Sequence, residues 1–305
     1  MPRIVADGAE SILEAATRST WAKLRANAIE MSARNPGLLE RFAPAGLVDE
    51  NRGVRFVTCM AIARSPSRDL GALVAPLLED ESDSVRAAAI LAMTRCGIPC
   101  DPTPLAGMLW SNDPEVRGNA YLVLGELGNP SAAPMIRDSI GKGMKLVNPL
   151  RVKLVDLAAA EALVKLGDEE EIEPIRAALF APPEQSELTA VACDALGRLK
   201  DQVARPMLER ILTANRRQQR SPEIRLSAAK ALAMLSSSGD AGVRRIALEL
   251  AAEHAASPDP RVRALVAALL AEVRGPEAVT LLGRLIRDAD PTVQVAAAGG
   301  IEGVE

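Results

Sequence analysis

Asp113-Pro114-Glu115-Val116-Arg117, running on through Ala120, Val123, Leu124 and Leu127 to Gly128, decides the fold. An Asp before a helix accepts a backbone N–H of the first turn. Proline at the first helical position loses no hydrogen bond, because that N–H has no partner anyway. Val116, Ala120, Val123, Leu124 and Leu127 recur at helical spacing and make one apolar stripe. Gly128 ends the helix and Asn129-Pro130 turns the chain. A second amphipathic run follows, with Met135, Ile136 and Ile140 on its apolar side. Such a hairpin cannot bury its own stripe, so it needs neighbours.

The neighbours are written along the chain. With Val116 as anchor, matching anchors are Leu24, Val54, Val85, Val155, Leu188, Ile224, Val262 and Val293. Successive spacings are 30, 31, 31, 39, 33, 36, 38 and 31 residues. Four residues after the anchors stand Ala28, Thr58, Ala89, Ala120, Ala159, Ala192, Ala228, Val266 and Ala297, mostly small, as close helix packing requires. Asn51, Ser82, Asp113, Ser221, Asp259 and Asp290 precede their anchors by three and read as caps. A period in this range marks a helical solenoid, whose repeats contact their neighbours alone.

Asp-Pro-x-Val-Arg, then Ala, then Leu-Gly-x-Leu-Gly resembles HEAT repeats, most closely the short repeats of phycobilisome-lyase type. Asp259-Pro260-Arg261-Val262-Arg263 is a second clear copy. The resemblance implies a right-handed α-solenoid of about nine HEAT-like helical hairpins, all-α, forming a single array over residues 1–305. It also implies that the Arg after the anchor (Arg25, Arg55, Arg86, Arg117, Arg225 and Arg263) ties adjacent repeats together. Asp156, Thr189 and Gln294 replace it in repeats 5, 6 and 9. Function does not follow from such a scaffold.

Composition agrees. Hydrophobic residues make up 48% and charged residues 25% of 305, while aromatics are 2%, so the core is aliphatic. A net charge of −4 gives no overall attraction to nucleic acid or anionic membrane. No apolar run is long enough to span a bilayer, and no secretory h-region follows Met1, so a cytoplasmic location is expected. Cys96 and Cys100 lack two further ligands for a structural metal, and Cys59, Cys96 and Cys193 fall inside helical patterns as small core residues.

Trp21 is expected to cover the core at the array's free N-terminal end, and Trp110 to be structural. Gly299, Gly300 and Gly303 weaken the last helix, which is expected to fray. Two long turns interrupt the regular hairpins, Gly141–Pro149 and Thr213–Pro222. The glycines beside Lys142 lack the phosphate-loop spacing. The single histidine, His254, has no nucleophile pattern near it. HEAT-like deoxyhypusine hydroxylases hold iron with His-Glu pairs, and this chain has no His-Glu dipeptide. The chain is therefore expected not to be an enzyme and to need no cofactor or metal.

What remains is surface. In HEAT arrays the second helices line the concave face. Positions two and six after the anchor point away from the core stripe, and from repeats 2 to 5 all of them but Glu161 are apolar. Phe56, Met60, Leu91, Leu122 and Leu157 are accordingly expected to form an apolar groove for a partner helix or peptide. The function expected is a non-catalytic protein-binding scaffold. The first alternative is polyanion or nucleic-acid binding along a basic flank and basic loops, carried by Lys142, Lys145, Arg151, Arg216, Arg217 and Arg220. Nucleic acid ranks below a protein partner. The second alternative is a HEAT-like lyase or isomerase.

Overall fold

Nine anchors imply nine second helices, and the computed structural model has them. It describes residues 3–144, 147–213, 220–236 and 240–303. Among these, eighteen α-helices and no strand occur, and they pair into nine hairpins. The first helices are α1 (Arg3–Thr17), α3 (Pro36–Leu47), α5 (Arg68–Val74), α7 (Pro104–Met108), α9 (Ala133–Ser139), α11 (Ile172–Ala178), α13 (Arg205–Thr213), α15 (Ala241–His254) and α17 (Pro276–Leu285). The second helices are α2 (Ala22–Ser32), α4 (Arg52–Arg64), α6 (Asp83–Arg95), α8 (Pro114–Leu127), α10 (Pro149–Lys165), α12 (Ser186–Leu199), α14 (Pro222–Leu235), α16 (Pro260–Val273) and α18 (Pro291–Glu302). All nine anchors are buried, and each residue four positions later is 0% exposed. The repeat register read from the sequence is the register of the core.

Local chemistry explains where the second helices begin. Asn51, Asp113, Asp259 and Asp290 each accept the N–H two residues on, at 2.8–2.9 Å. Ser82 and Ser221 stand at the same place without a side-chain cap bond. A second device precedes the cap by two residues. There Ser19, Asp49, Asp80, Ser111, Ser257 and Asp288 accept the N–H of the cap residue through their side chains. Their carbonyls take the side chain that follows the anchor. Arg25 reaches Ser19, Arg55 Asp49, Arg86 Asp80, Arg117 Ser111, Arg263 Ser257 and Gln294 Asp288, at 2.6–2.9 Å. Gln294 thus does in repeat 9 what arginine does elsewhere.

Three of these arginines also cross to the next repeat, Arg117 to main-chain carbonyls and the other two to a carboxylate. Arg55 grips Asp80 with Nε–Oδ2 at 2.7 Å and Nη2–Oδ1 at 3.0 Å. Arg263 grips Asp288 in the same fork, at 2.7 and 2.8 Å. Both carboxyls are held below their ordinary pKa. For Asp288 the Arg263 hydrogen bonds are the main cause. For Asp80 burial pushes upward, and the bonds from Arg55 and the Ser82 N–H outweigh it.

The chain divides into two compact units, one of Met1–Phe42 with Cys193–Glu305 and one of Ala43–Ala192. In the second, α4, α6, α8 and α10 pack side by side. Gly125 makes one of these contacts possible, because a Cβ there would lie 2.9 Å from the Ala162 Cα.

In the discontinuous unit, α14, α16 and α18 pack in series, and the N-terminal helices α1 and α2 then pack on α18. Repeat 1 follows repeat 9 there, which corrects the expectation that the first and last hairpins each meet one neighbour in chain order. The terminal glycines have a packing reason. A Cβ on Gly299 would overlap the Met31 side chain, and one on Gly303 would lie 2.8 Å from Arg34 Cδ. Arg34 passes over Gly303 to pair with Glu272 at 3.0 Å, and Asn35 donates to Glu302 at 2.9 Å. Trp21 is 62% exposed and covers no core.

Two outcomes follow. Asp288→Asn should lower stability at neutral pH by about 1–3 kcal/mol, as losing a charged hydrogen-bond pair does. A depressed native pKa stabilises above the unfolded-state value and is lost as pH falls through the folded one, so urea titrations at descending pH should show the difference vanish in acid. Gly299→Ala, which in a free helix would stabilise by up to about 1 kcal/mol, should instead destabilise by about 1–3 kcal/mol through overpacking against Met31, read as a lower urea midpoint.

Candidate functional site

The five apolar positions do not form an open row. Leu91 on α6 and Leu157 on α10 are 1% and 7% exposed, while Phe56, Met60 and Leu122 are half-buried. The reason is the closeness of the second helices. Ala87, Ala88 and Ala92 leave α6 thin, so α4 and α8 close on it and bury nearly every residue from Ser84 to Met93. Position six after the anchor also faces the adjacent second helix. At that position in repeats 6 and 7, Asp194 and Lys230 form a 3.1 Å ion pair. Leucine there is a packing residue, and the expected groove is closed at Leu91 and Leu157.

The basic loops divide. Lys142 is exposed, pairs with Asp138 and lies 5.6 Å from the centroid of the Trp110 ring. Trp110 is itself exposed rather than buried. Arg151 is exposed and pairs with Glu187 at 3.2 Å. Arg220 is half-buried. Lys145, Arg216 and Arg217 lie outside the described residues. In the flank ten residues after the anchors, Glu126 takes Arg95 at 3.1 Å and Lys165 at 2.8 Å.

The insertion of repeat 5 builds something else. It lengthens α10 to 17 residues, so its N-terminal turn replaces the loop that would offer a carbonyl to an arginine. Asp156 occupies the arginine position. The Arg117 side chain of repeat 4, 1% exposed, turns to main-chain acceptors instead: Ser111 at 2.7 Å, Lys142 at 2.6 Å and Ser139 at 3.3 Å. Ser139 gives its hydroxyl proton to the Ile136 carbonyl at 2.7 Å, so buried Tyr121 donates to Ser139, also at 2.7 Å. Burial pushes the Tyr121 hydroxyl up in pKa, the Ser139 bond opposing.

Asp156 forms no hydrogen bond or ion pair within this cluster. Burial pushes its carboxyl above the usual range, against the opposing charge of Arg117. It stands in the wall of a cleft of about 320 Å³ between α10, α11 and the start of α12. Leu157, Ala177, Ala181, Pro182 and Leu188 make the walls apolar. Lys153 at the rim donates to Gln185 at 2.9 Å. Of the five apolar positions, only Leu157 touches this cleft. The sequence carried a signal for it: an acid in repeat 5 where six repeats have arginine.

Among the described residues no group of three His, Cys, Asp or Glu side chains could hold a metal, and no helix is long and apolar enough to cross a membrane. Burial raises the Cys59 and Cys193 thiols far above the reactive range.

No family model matches this chain, and no curated protein matches it. Solved structures resemble it distantly. Human deoxyhypusine hydroxylase in complex with glycerol is 16% identical with a TM-score of 0.40, the match covering 88% of this chain and 96% of that one. A mutant of Kap121p is 14% identical with a TM-score of 0.37, over 100% of this chain and 41% of that one. An engineered protein is 18% identical with a TM-score of 0.23, over 97% and 96%.

A raised carboxyl pKa makes the native state bind a proton that the unfolded chain releases, so its ionisation weakens the fold as pH rises. Asp156→Asn should therefore keep or raise the melting temperature at neutral pH, and the gain should shrink as pH falls toward the ordinary aspartate range. A lower melting temperature at neutral pH would mean that Asp156 is chiefly the counter-ion of Arg117.

Proposed function

We propose that this chain is a non-catalytic binding scaffold that takes an apolar side chain of a partner helix or extended peptide between α10 and α11. The supporting observation is the cleft itself, which is open and mostly apolar. Its one carboxyl, on Asp156, forms no hydrogen bond or ion pair among the described residues, and burial raises its pKa. Ligand sites of proteins combine apolar walls with a few polar groups that fix orientation. Asp156 is free to accept a donor from the partner backbone or from a polar side chain beside the inserted one. A partner of this kind needs no titratable nucleophile, metal or cofactor.

Ala177 is exposed on α11 and lines the cleft, so it can be enlarged without entering the core. Peptides selected on the wild-type protein from a displayed library should lose binding to Ala177→Arg. The variant's melting curve should stay within the roughly 0.5 kcal/mol usual for surface changes. Equal binding by the variant would remove this cleft from the reading.

A further inference from the structure

Five second helices in this chain end in a residue of positive φ, and two of the five do so without glycine. Twelve residues after the anchor, repeats 3, 4 and 5 place Gly97, Gly128 and Gly167, with φ of 71°, 69° and 100°. Glycine suits this left-handed conformation because it has no Cβ to meet the following carbonyl. Repeats 6 and 8 put Lys200 and Arg274 at the same position, with φ of 58° and 53°. Repeat 7, between them, puts Ser236 there. These three residues line one cleft of about 390 Å³ within the discontinuous unit. Strained backbone held by non-glycine residues tends to gather where side chains have work beyond folding.

The charge of the cleft points to the kind of work. Lys200, Arg244 and Arg274 line it, with Asp240 and Glu272 as its acids. Both acids are held by arginines outside the lining, Asp240 by Arg205 at 2.9 Å and Glu272 by Arg34 at 3.0 Å. Arg244 pairs with Glu277 at 2.6 Å and lies flat on Gly275, where a Cβ would overlap its guanidinium. Lys200 donates to the Met234 carbonyl at the end of α14. Positive charge is left over, and Arg274 is exposed.

We propose that this cleft binds carboxylates of an acidic peptide segment. Guanidinium forks match carboxylates in pairs of hydrogen bonds. The C-terminal ends of α14 and α16 border the cleft and carry partial negative charge. Together with Asp240 and Glu272 they oppose a compact dianion such as phosphate. Single negative charges spaced along a chain fit between them. The site shares no lining residue with the α10–α11 cleft, so each stands or falls by its own variant.

The test is fluorescence anisotropy with a labelled Glu/Leu peptide, its Gln/Leu counterpart, and inorganic phosphate as competitor. Wild type should bind the Glu peptide, more weakly as salt rises, and bind the Gln peptide at least about tenfold less tightly, a difference of roughly 1.4 kcal/mol. The double variant Lys200→Gly with Arg274→Gly should lose the Glu peptide by a similar factor, yet keep or raise the melting temperature, because glycine relieves the strained backbone. Should the double variant fail to fold, Arg274→Gln alone should reduce the binding. Failure of wild type to bind, equal binding of the Gln peptide, undiminished binding by the folded variants, or displacement by phosphate at the peptide's own concentration would each overturn the proposal.

Discussion

The bond that in six repeats runs from the side chain after the anchor to the carbonyl six residues earlier is the constraint on which those repeats depend. It runs from inside the second helix back to the turn before it, so the turn and the helix cannot move separately. In six of nine repeats the same turn is held again by a Ser or Asp side chain beneath the cap residue. Where that residue is Asp80 or Asp288, the preceding repeat's arginine closes on it and the turn becomes a joint between hairpins. The hydrophobic stripe says that helices will stack. These polar turns fix the angle at which each second helix leaves its loop.

Much of this was legible in the chain. The anchors and their small partners have one spacing and one burial, because a helix touching a helix on either side admits few shapes. The arginine was legible too, although its main work is within its own repeat. The Ser or Asp beneath the cap was not singled out. As a single polar residue in a loop it has no period of its own until the anchors supply one. The stacking of repeat 1 on repeat 9 was hidden for another reason: Met31 and Gly299 are complementary in shape, and nothing in either residue names the other.

The candidate sites were legible only in part. Leu91 and Leu157 look like surface leucines when a helix is treated as an isolated cylinder. They become packing residues once alanines let the neighbours approach. Departures from the repeat were better guides than the repeat. Asp156 in an arginine position, and Lys200 and Arg274 in glycine positions, are where an otherwise regular chain gives up local fit. A regular repeat reports on folding alone, so the irregular residues carry what information the sequence holds about binding.

The seat that α18 offers is taken by the N-terminal hairpin. A tenth repeat added after the ninth would find its place occupied, so the array cannot lengthen at that end by simple duplication. Synthesis meets the same geometry in time. About 259 residues separate Ser32 from Pro291, and at about 5–20 residues per second a ribosome takes roughly 13–50 s to cross them. For that interval the first hairpin exists without the helix it packs on. Its apolar side then faces water or a chaperone, so the first hairpin waits for the last helix of the ninth repeat before it finds its final partner.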